Sequence, residues 1–250
     1  MLRRDFVKYA ATSFAGSSLL YGTGVYGTGM AVAQRPPRGF VALFDGKDLS
    51  AWRADEDAKK HWVVHDGIID FDGKDESPKG EKRHLWSVKE YGDLTLMVDW
   101  RFPGPARELE HEVILPNGDY ALDATGKRKK EKVMDAGDSG VYLRGSDKSQ
   151  VNMWCWPIGS GEVYGYRNDL KQPPEVRAGV TPKKHADKPL GSWNSMVITM
   201  VGDRLSVTLN NIAVITKAQL PGVAPSGPIA LQNHGDPIQF RNIYIRTGTG

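Results

Sequence analysis

The sequence predicts an all-β protein, and three observations carry that reading. Short apolar runs alternate with period two, Gly, Pro, Asn and Asp separate them, and no stretch keeps a helical period for three turns. The clearest strand is 93–102, where Leu94, Leu96, Val98 and Trp100 share one face and Thr95, Met97, Asp99 and Arg101 the other. Further strands are expected at 67–71, 84–88, 139–144, 150–155, 193–201, 204–210, 212–216, 228–232 and 239–246, with Asn210-Asn211 as a hairpin turn. So many strands in one domain imply two packed antiparallel sheets. Two segments interrupt the pattern. Residues 103–137 are charged and Gly-rich and read as an insertion; residues 156–190 are irregular and rich in Pro, Gly and aromatics. Either is expected to roof a sheet face, as long loops over binding sites do.

The first residues form a separate unit. Arg3-Arg4-Asp5-Phe6-Val7-Lys8 resembles the twin-arginine export consensus, residues 9–30 are apolar but diluted with Gly, Ser and Thr, and Ala31-Val32-Ala33 supplies a cleavage site. Residues 1–33 are therefore expected to be a twin-arginine signal peptide that engages the export machinery, and 34–250 the folded domain, starting at Gln34. The expected location is the periplasm or the exterior. The net charge of +3 includes Arg3, Arg4 and Lys8, so the remainder is near neutral and no nucleic-acid partner is expected. The basic run KRKKEK at 127–132 reads as a solvated loop. Cys155 is the single cysteine, which rules out an internal disulfide and a cysteine-based zinc site; it reads as a buried apolar residue.

Alternation within 150–155 sends Val151, Met153 and Cys155 to one side and Gln150, Asn152 and Trp154 to the other. Amides for hydroxyls and an indole for C–H bonds make a surface suited to a sugar; the alternative is a solvent-facing edge strand. In 139–144, Gly140, Tyr142 and Arg144 oppose Val141 and Leu143, so if the two strands neighbour, Arg144 is expected near Gln150.

Several blocks resemble one family, the 3-keto-disaccharide hydrolase domain. They run from Gly39 to Arg246: Phe44-Asp45-Gly46-Lys47-Asp48-Leu49 with Trp52, Asp138-Ser139-Gly140-Val141-Tyr142-Leu143-Arg144-Gly145, Gly191-Ser192-Trp193-Asn194, Leu231-Gln232-Asn233-His234-Gly235 and Phe240-Arg241-Asn242-Ile243. The resemblance implies a concanavalin-like jelly roll of two curved sheets that holds a carbohydrate. It also implies 3-keto-glycosides as substrates, because the ketone acidifies the C2 hydrogen and lets the anomeric substituent leave before water adds. Such chemistry needs a base at C2, an acid at the leaving oxygen and donors to the ketone oxygen. Arg144 and His234 are the implied donors, and His234, with an ordinary pKa of about 6.5, is also a candidate proton shuttle. Gln232 and Tyr142 fall in matching blocks as substrate-binding candidates, as does Tyr164 in the glycine–tyrosine block 159–167.

One departure bears on mechanism. Where the family commonly reads Tyr-Glu-Val-Gln, this chain has Ser149-Gln150-Val151-Asn152, and an amide cannot exchange protons. Glu162, Asp138 (where the family usually has Asn) and Asp99 are the carboxylates that stand in as candidates. A rival reading rests on Glu108, Glu110 and Glu112, which share a face in a strand as do the carboxylates of laminarinase-type retaining glycosidases, about 5.5 Å apart; His111 with Glu110 or Glu112 is also a candidate ligand pair for a divalent metal. Calcium or another divalent metal is a candidate cofactor on fold analogy. The leading expectation is a secreted enzyme acting on 3-keto-glycosides by acid/base chemistry at C2 and C1. The alternative is a non-catalytic, lectin-like module, and a scaffold role gains if 156–190 covers the Trp154 face.

Overall fold

The computed structural model describes residues 35–248. The expected signal peptide, its cleavage site and Gln34 lie outside the described residues. The described chain is built of β1 (Val41–Ala42), β2 (Trp62–His65), β3 (Ile68–Phe71), β4 (Leu85–Tyr91), β5 (Leu94–Arg101), β6 (Arg107–Glu112), β7 (Lys130–Asp135), β8 (Asp138–Leu143), β9 (Ser146–Trp154), α1 (Tyr164–Arg167), α2 (Pro174–Gly179), β10 (Asn194–Val201), β11 (Arg204–Leu209), β12 (Ile212–Gln219), β13 (Gly227–Leu231) and β14 (Ile238–Thr247). Three sheets result. Eight strands form the larger one in the order β12-β11-β10-β5-β14-β3-β2, with β1 also on β14; β4-β13-β8-β9 form a second, and β6-β7 a separate ribbon.

The first two sheets make the jelly-roll sandwich, because each has one apolar face. Leu94, Leu96, Val98 and Trp100 of β5 are all buried, beside Met196, Ile198 and Met200 of β10 and Phe240, Ile243 and Ile245 of β14. From the smaller sheet Leu85, Ile229, Leu231, Val141, Leu143, Val151 and Met153 join the same core. Every strand expected from alternation is present, with its ends moved by a few residues. Asn210 and Asn211 both have positive φ, 51° and 66°, and close a two-residue turn between Leu209 and Ile212. β2 is not among the strands expected from the sequence; Asp66-Gly67, at φ 49° and 73°, folds it onto β3.

The segment 103–137 is more ordered than its composition announces. β6 and β7 pair Glu110 with Lys132 and Glu112 with Lys130, so opposite charges lie across the ladder. The run 127–132, expected as a loop, thus passes into a strand. Glu108, Glu110 and Glu112 do share a face, but it is the wet face of this ribbon: Glu108 pairs with Lys132 at 2.7 Å and Glu112 with Arg128 at 3.8 Å. That geometry corrects the glycosidase-like reading, since the three carboxylates face lysines and solvent, not a cleft.

Arg144 is also corrected. β8 and β9 are neighbours, with Tyr142 opposite Gln150, yet Arg144 lies one residue past β8 at φ 51° and turns away. Its guanidinium is buried and donates to the carbonyls of Gly92, Gly202 and Ala224 and to Asp93. It pins three loops and reaches no substrate.

Candidate active site

The outer face of the smaller sheet carries the polar groups. On β9, Val151 and Met153 enter the core while Gln150 and Asn152 point out, and across β8 they meet Tyr142 and Gly140. After β13 the backbone keeps alternating: Gln232 faces out, Asn233 turns in and donates to the Asp75 carbonyl, and His234 faces out again. The Asn233 N–H also donates to His84 Nδ1 at 3.1 Å, which leaves the His84 proton on Nε2. Burial lowers the His84 pKa, so this ring stays neutral.

Asp138, Gln150, Asn152, Trp154, Trp156, Tyr164, Gln232 and His234 line one cleft of about 280 Å³. Inside it the Gln150 amide donates to Gln232 Oε1, and Gln232 Nε2 donates to the Tyr142 hydroxyl at 2.9 Å. Tyr142 itself is almost covered and braces Gln232 from behind, with His84 edge-on at 4.7 Å. Burial pushes its phenol up to about 12, so it remains a neutral hydrogen-bonding group. Gly140 makes this possible, because a Cβ there would lie 2.5 Å from Gln150 Nε2 and 2.8 Å from the Val151 carbonyl. Gly140→Ala is expected to cost about 1–3 kcal/mol by overpacking and to displace the Gln150 amide; urea unfolding reads the first effect and sugar affinity the second.

Trp154 departs from expectation. Its face does not meet solvent: Trp156 stacks on it at 4.5 Å and 8°, and its N–H donates to the Gly159 carbonyl. Trp156 in turn stacks on His111, whose Nε2 lies 2.6 Å from Asp135. Trp156 thus covers one face of Trp154, and Tyr164, 39% exposed, is the most open ring of the cleft lining. Segment 156–190 covers the Trp154 face through Trp156; beside it Asn152 and Gln232 are nearly covered, Gln150 and Asp138 are half-buried, and His234 is exposed. Cys155 lies half-buried beneath, its thiol pushed up to about 11 by burial, in keeping with a packing role.

The carboxylates separate cleanly. Asp138 starts β8 at the cleft floor; burial pushes its carboxyl up to about 7, and nearby Asp236 and Asp135 act in the same direction while His234 opposes them. His234 faces Asp236 at 3.8 Å, which raises the imidazole pKa, and Asp236 also accepts the Asp138 N–H at 3.1 Å. Glu162 does not reach the cleft: it is fully buried, turned onto the equally buried Arg167 of α1. Its carboxyl is raised to about 7, because burial outweighs the arginine. Asp99 is remote as well, on β5 in the other sheet, where Asn242 and Arg241 bind it.

No three His, Cys, Asp or Glu side chains among the described residues gather into a group able to hold a metal ion. The divalent-metal expectation thus lacks a donor set here, and no step is assigned to a metal. Trp156 lines the cleft and was passed over by motif reading, as were His84 and Trp86, which pack against Tyr142 behind Gln232. The signal for the latter two was present: His84 and Trp86 flank the buried Leu85, the alternation that marks Gln150 and Asn152.

Residues 39–246 match the family model of the 3-keto-alpha-glucoside-1,2-lyase-like domain. The chain belongs to this family. Its blocks account for both sides of the cleft: the Asp138–Gly145 stretch gives β8, and Leu231–Gly235 gives Gln232 and His234. Among solved structures, a candidate glycosyl hydrolase from Parabacteroides distasonis is similar, with 21% identity and a TM-score of 0.52 over 85% of each chain. A second from the same organism has 19% identity and a TM-score of 0.53 over 84% of this chain and 99% of its own. These likenesses show a shared fold. No curated protein matches the chain. As a member of the 3-keto-alpha-glucoside-1,2-lyase-like family, the protein is a carbohydrate-active or carbohydrate-binding domain.

Proposed function

We propose that this member of the 3-keto-alpha-glucoside-1,2-lyase-like family cleaves 3-keto-glycosides by elimination across C2 and C1, with Asp138 as the base. One observation carries the reading: the acid and the amide have exchanged places. By the sequence resemblance, the family usually has Asn at 138 and commonly Glu at 150; this chain has Asp138 and Gln150, and both line the same cleft. One carboxylate and one amide are kept, on neighbouring strands.

In the proposed reaction the Asp138 carboxylate removes the C2 proton. The electron pair forms C1=C2, the C1–O bond breaks, and protonated His234 delivers its proton to the leaving oxygen. The amides of Gln150, Asn152 and Gln232 hold hydroxyls and the ketone oxygen, and water then adds across the enone to give the free 3-keto sugar. A base near pH 7 is well matched to this task, which fits the raised Asp138 carboxyl. The N-terminal export pattern leads us to propose that the reaction takes place outside the cytoplasm.

A non-catalytic sugar-binding role is supported by Gln150, since its amide engages Gln232 and transfers no proton. One experiment separates the two. In D2O, initial turnover of a 3-keto-glucoside is expected to release product carrying deuterium at C2, above the exchange seen without protein. Release without excess deuterium would overturn the elimination, and saturable binding without release would establish the lectin-like role.

A further inference from the structure

We infer that a crevice beside the cleft is an aglycone site for a planar, hydroxylated aromatic group. This rests on the reading of the cleft as the seat of the 3-keto sugar. The crevice holds about 350 Å³ and is lined chiefly by apolar groups, among them Trp100, Phe102, Val133, Met134, Pro189 and Leu190. It adjoins the cleft. Trp154 and Trp156 line both it and the cleft, and on this inference the C1 substituent of a sugar in the cleft lies on the crevice side of these two indoles.

Shape and chemistry select the occupant. A cavity of about 150 Å³ takes one benzene ring, so this space suits a group of about two rings. The walls offer aromatic rings, with Trp100 and Phe102 set edge to face at 5.3 Å and the stacked pair Trp154–Trp156 beside them. Apolar aromatic walls favour an aromatic guest over a second sugar, whose hydroxyls would meet few partners here. Two lining residues nevertheless have a polar atom left over. The Trp100 indole N–H is buried without an acceptor, and Asp187 Oδ1 is buried without a donor while its Oδ2 accepts the Ser160 N–H. A guest hydroxyl satisfies either one, accepting from the first or donating to the second. At the mouth, Met134 and Leu190 are 53% and 43% exposed, apolar surface that the fold itself does not use.

The test uses the full chain and two probes, a hydroxynaphthyl α-glucoside and methyl α-glucoside, with binding followed by tryptophan fluorescence. The naphthyl glycoside is expected to bind at least tenfold more tightly. Leu190→Asp, at an exposed position that leaves folding intact, is expected to erase most of that advantage without changing methyl glucoside affinity, and Trp100→Phe to weaken only the hydroxylated naphthyl probe relative to its unsubstituted counterpart. Equal affinity for the two glycosides, or equal loss for both in Leu190→Asp, overturns the inference. Turnover of 3-keto methyl α-glucoside, measured in parallel, judges the cleft alone. If it is absent while the naphthyl preference persists, the crevice stands and the elimination falls; if it is present without the preference, the reverse holds.

Discussion

Asp138→Asn is expected to lower kcat/KM on a 3-keto-glucoside by about 10²–10⁴-fold, the usual contribution of a positioned general base. Adding Gln150→Glu to that variant is expected to restore a measurable part of the activity, because it returns the carboxylate to the position the family pattern gives it. Failure of both single and double variants to alter turnover would remove Asp138 from the mechanism. In the wild type, kcat/KM should fall on the acid side as Asp138 takes up a proton near pH 7, far above the ordinary carboxylate range. It should fall again at higher pH as His234, itself raised, loses its proton; because the two groups interact, the apparent values belong to the pair.

The same substitution should stabilise the fold. Asp138 binds its proton more tightly folded than unfolded, so ionising it weakens the folded state as pH rises from about 4 to about 7. Asn carries no such liability. Discounting the wet part of the carboxyl leaves a gain on the order of 2 kcal/mol at pH 8 that shrinks towards zero near pH 4. Thermal unfolding at the two pH values reads it, and an unchanged Tm at pH 8 would contradict the burial argument. A residue that costs stability and supports turnover is what a functional site is expected to contain.

Arg167→Met is expected to destabilise the protein by about 3–5 kcal/mol at pH 8, because it strands the Glu162 carboxylate in the interior. Arg167 and Glu162 have no exposed surface, and burial already holds Glu162 near 7 with the arginine present. Without the cation the carboxyl rises further, so at pH 6 it is neutral and the loss should be smaller; Glu162→Gln added to Arg167→Met should recover much of it. The guanidinium also stacks between Tyr120, at 4.8 Å, and Tyr164, at 5.3 Å, so this variant loosens the cleft wall. Glu162→Gln alone should leave turnover within a few-fold of wild type. A loss of the size expected for Asp138→Asn would reinstate Glu162 as a catalytic acid.

Period-two alternation is a property of the chain itself, and it was enough to place ten strands, the outward Gln150 and Asn152, and the inward Val151 and Met153. The family blocks added Asp138, Gln232 and His234, all of which line one cleft. Arg144, Trp154 and Glu162 depart from their expected settings for one shared reason. Arg144 follows the strand pattern, but a left-handed residue past the strand end swings it onto carbonyls 52, 58 and 80 residues away in sequence. Trp154 points outward as expected, yet Trp156 crosses over its face. Glu162 sits in the correct block, but a turn of helix five residues later brings Arg167 beneath it, and a buried carboxylate goes where its cation is.

The sequence by itself therefore determined the all-β class, the strand faces and the identity of the polar groups on the cleft, since these depend on residues two apart along one strand. Only the tertiary structure decided which carboxylate meets the cleft. Burial, neighbouring charge and the covering of one ring by another are set by groups far apart along the chain, and they fix whether a carboxyl such as Asp138 is free to take a proton or, like Glu162, is locked to an arginine.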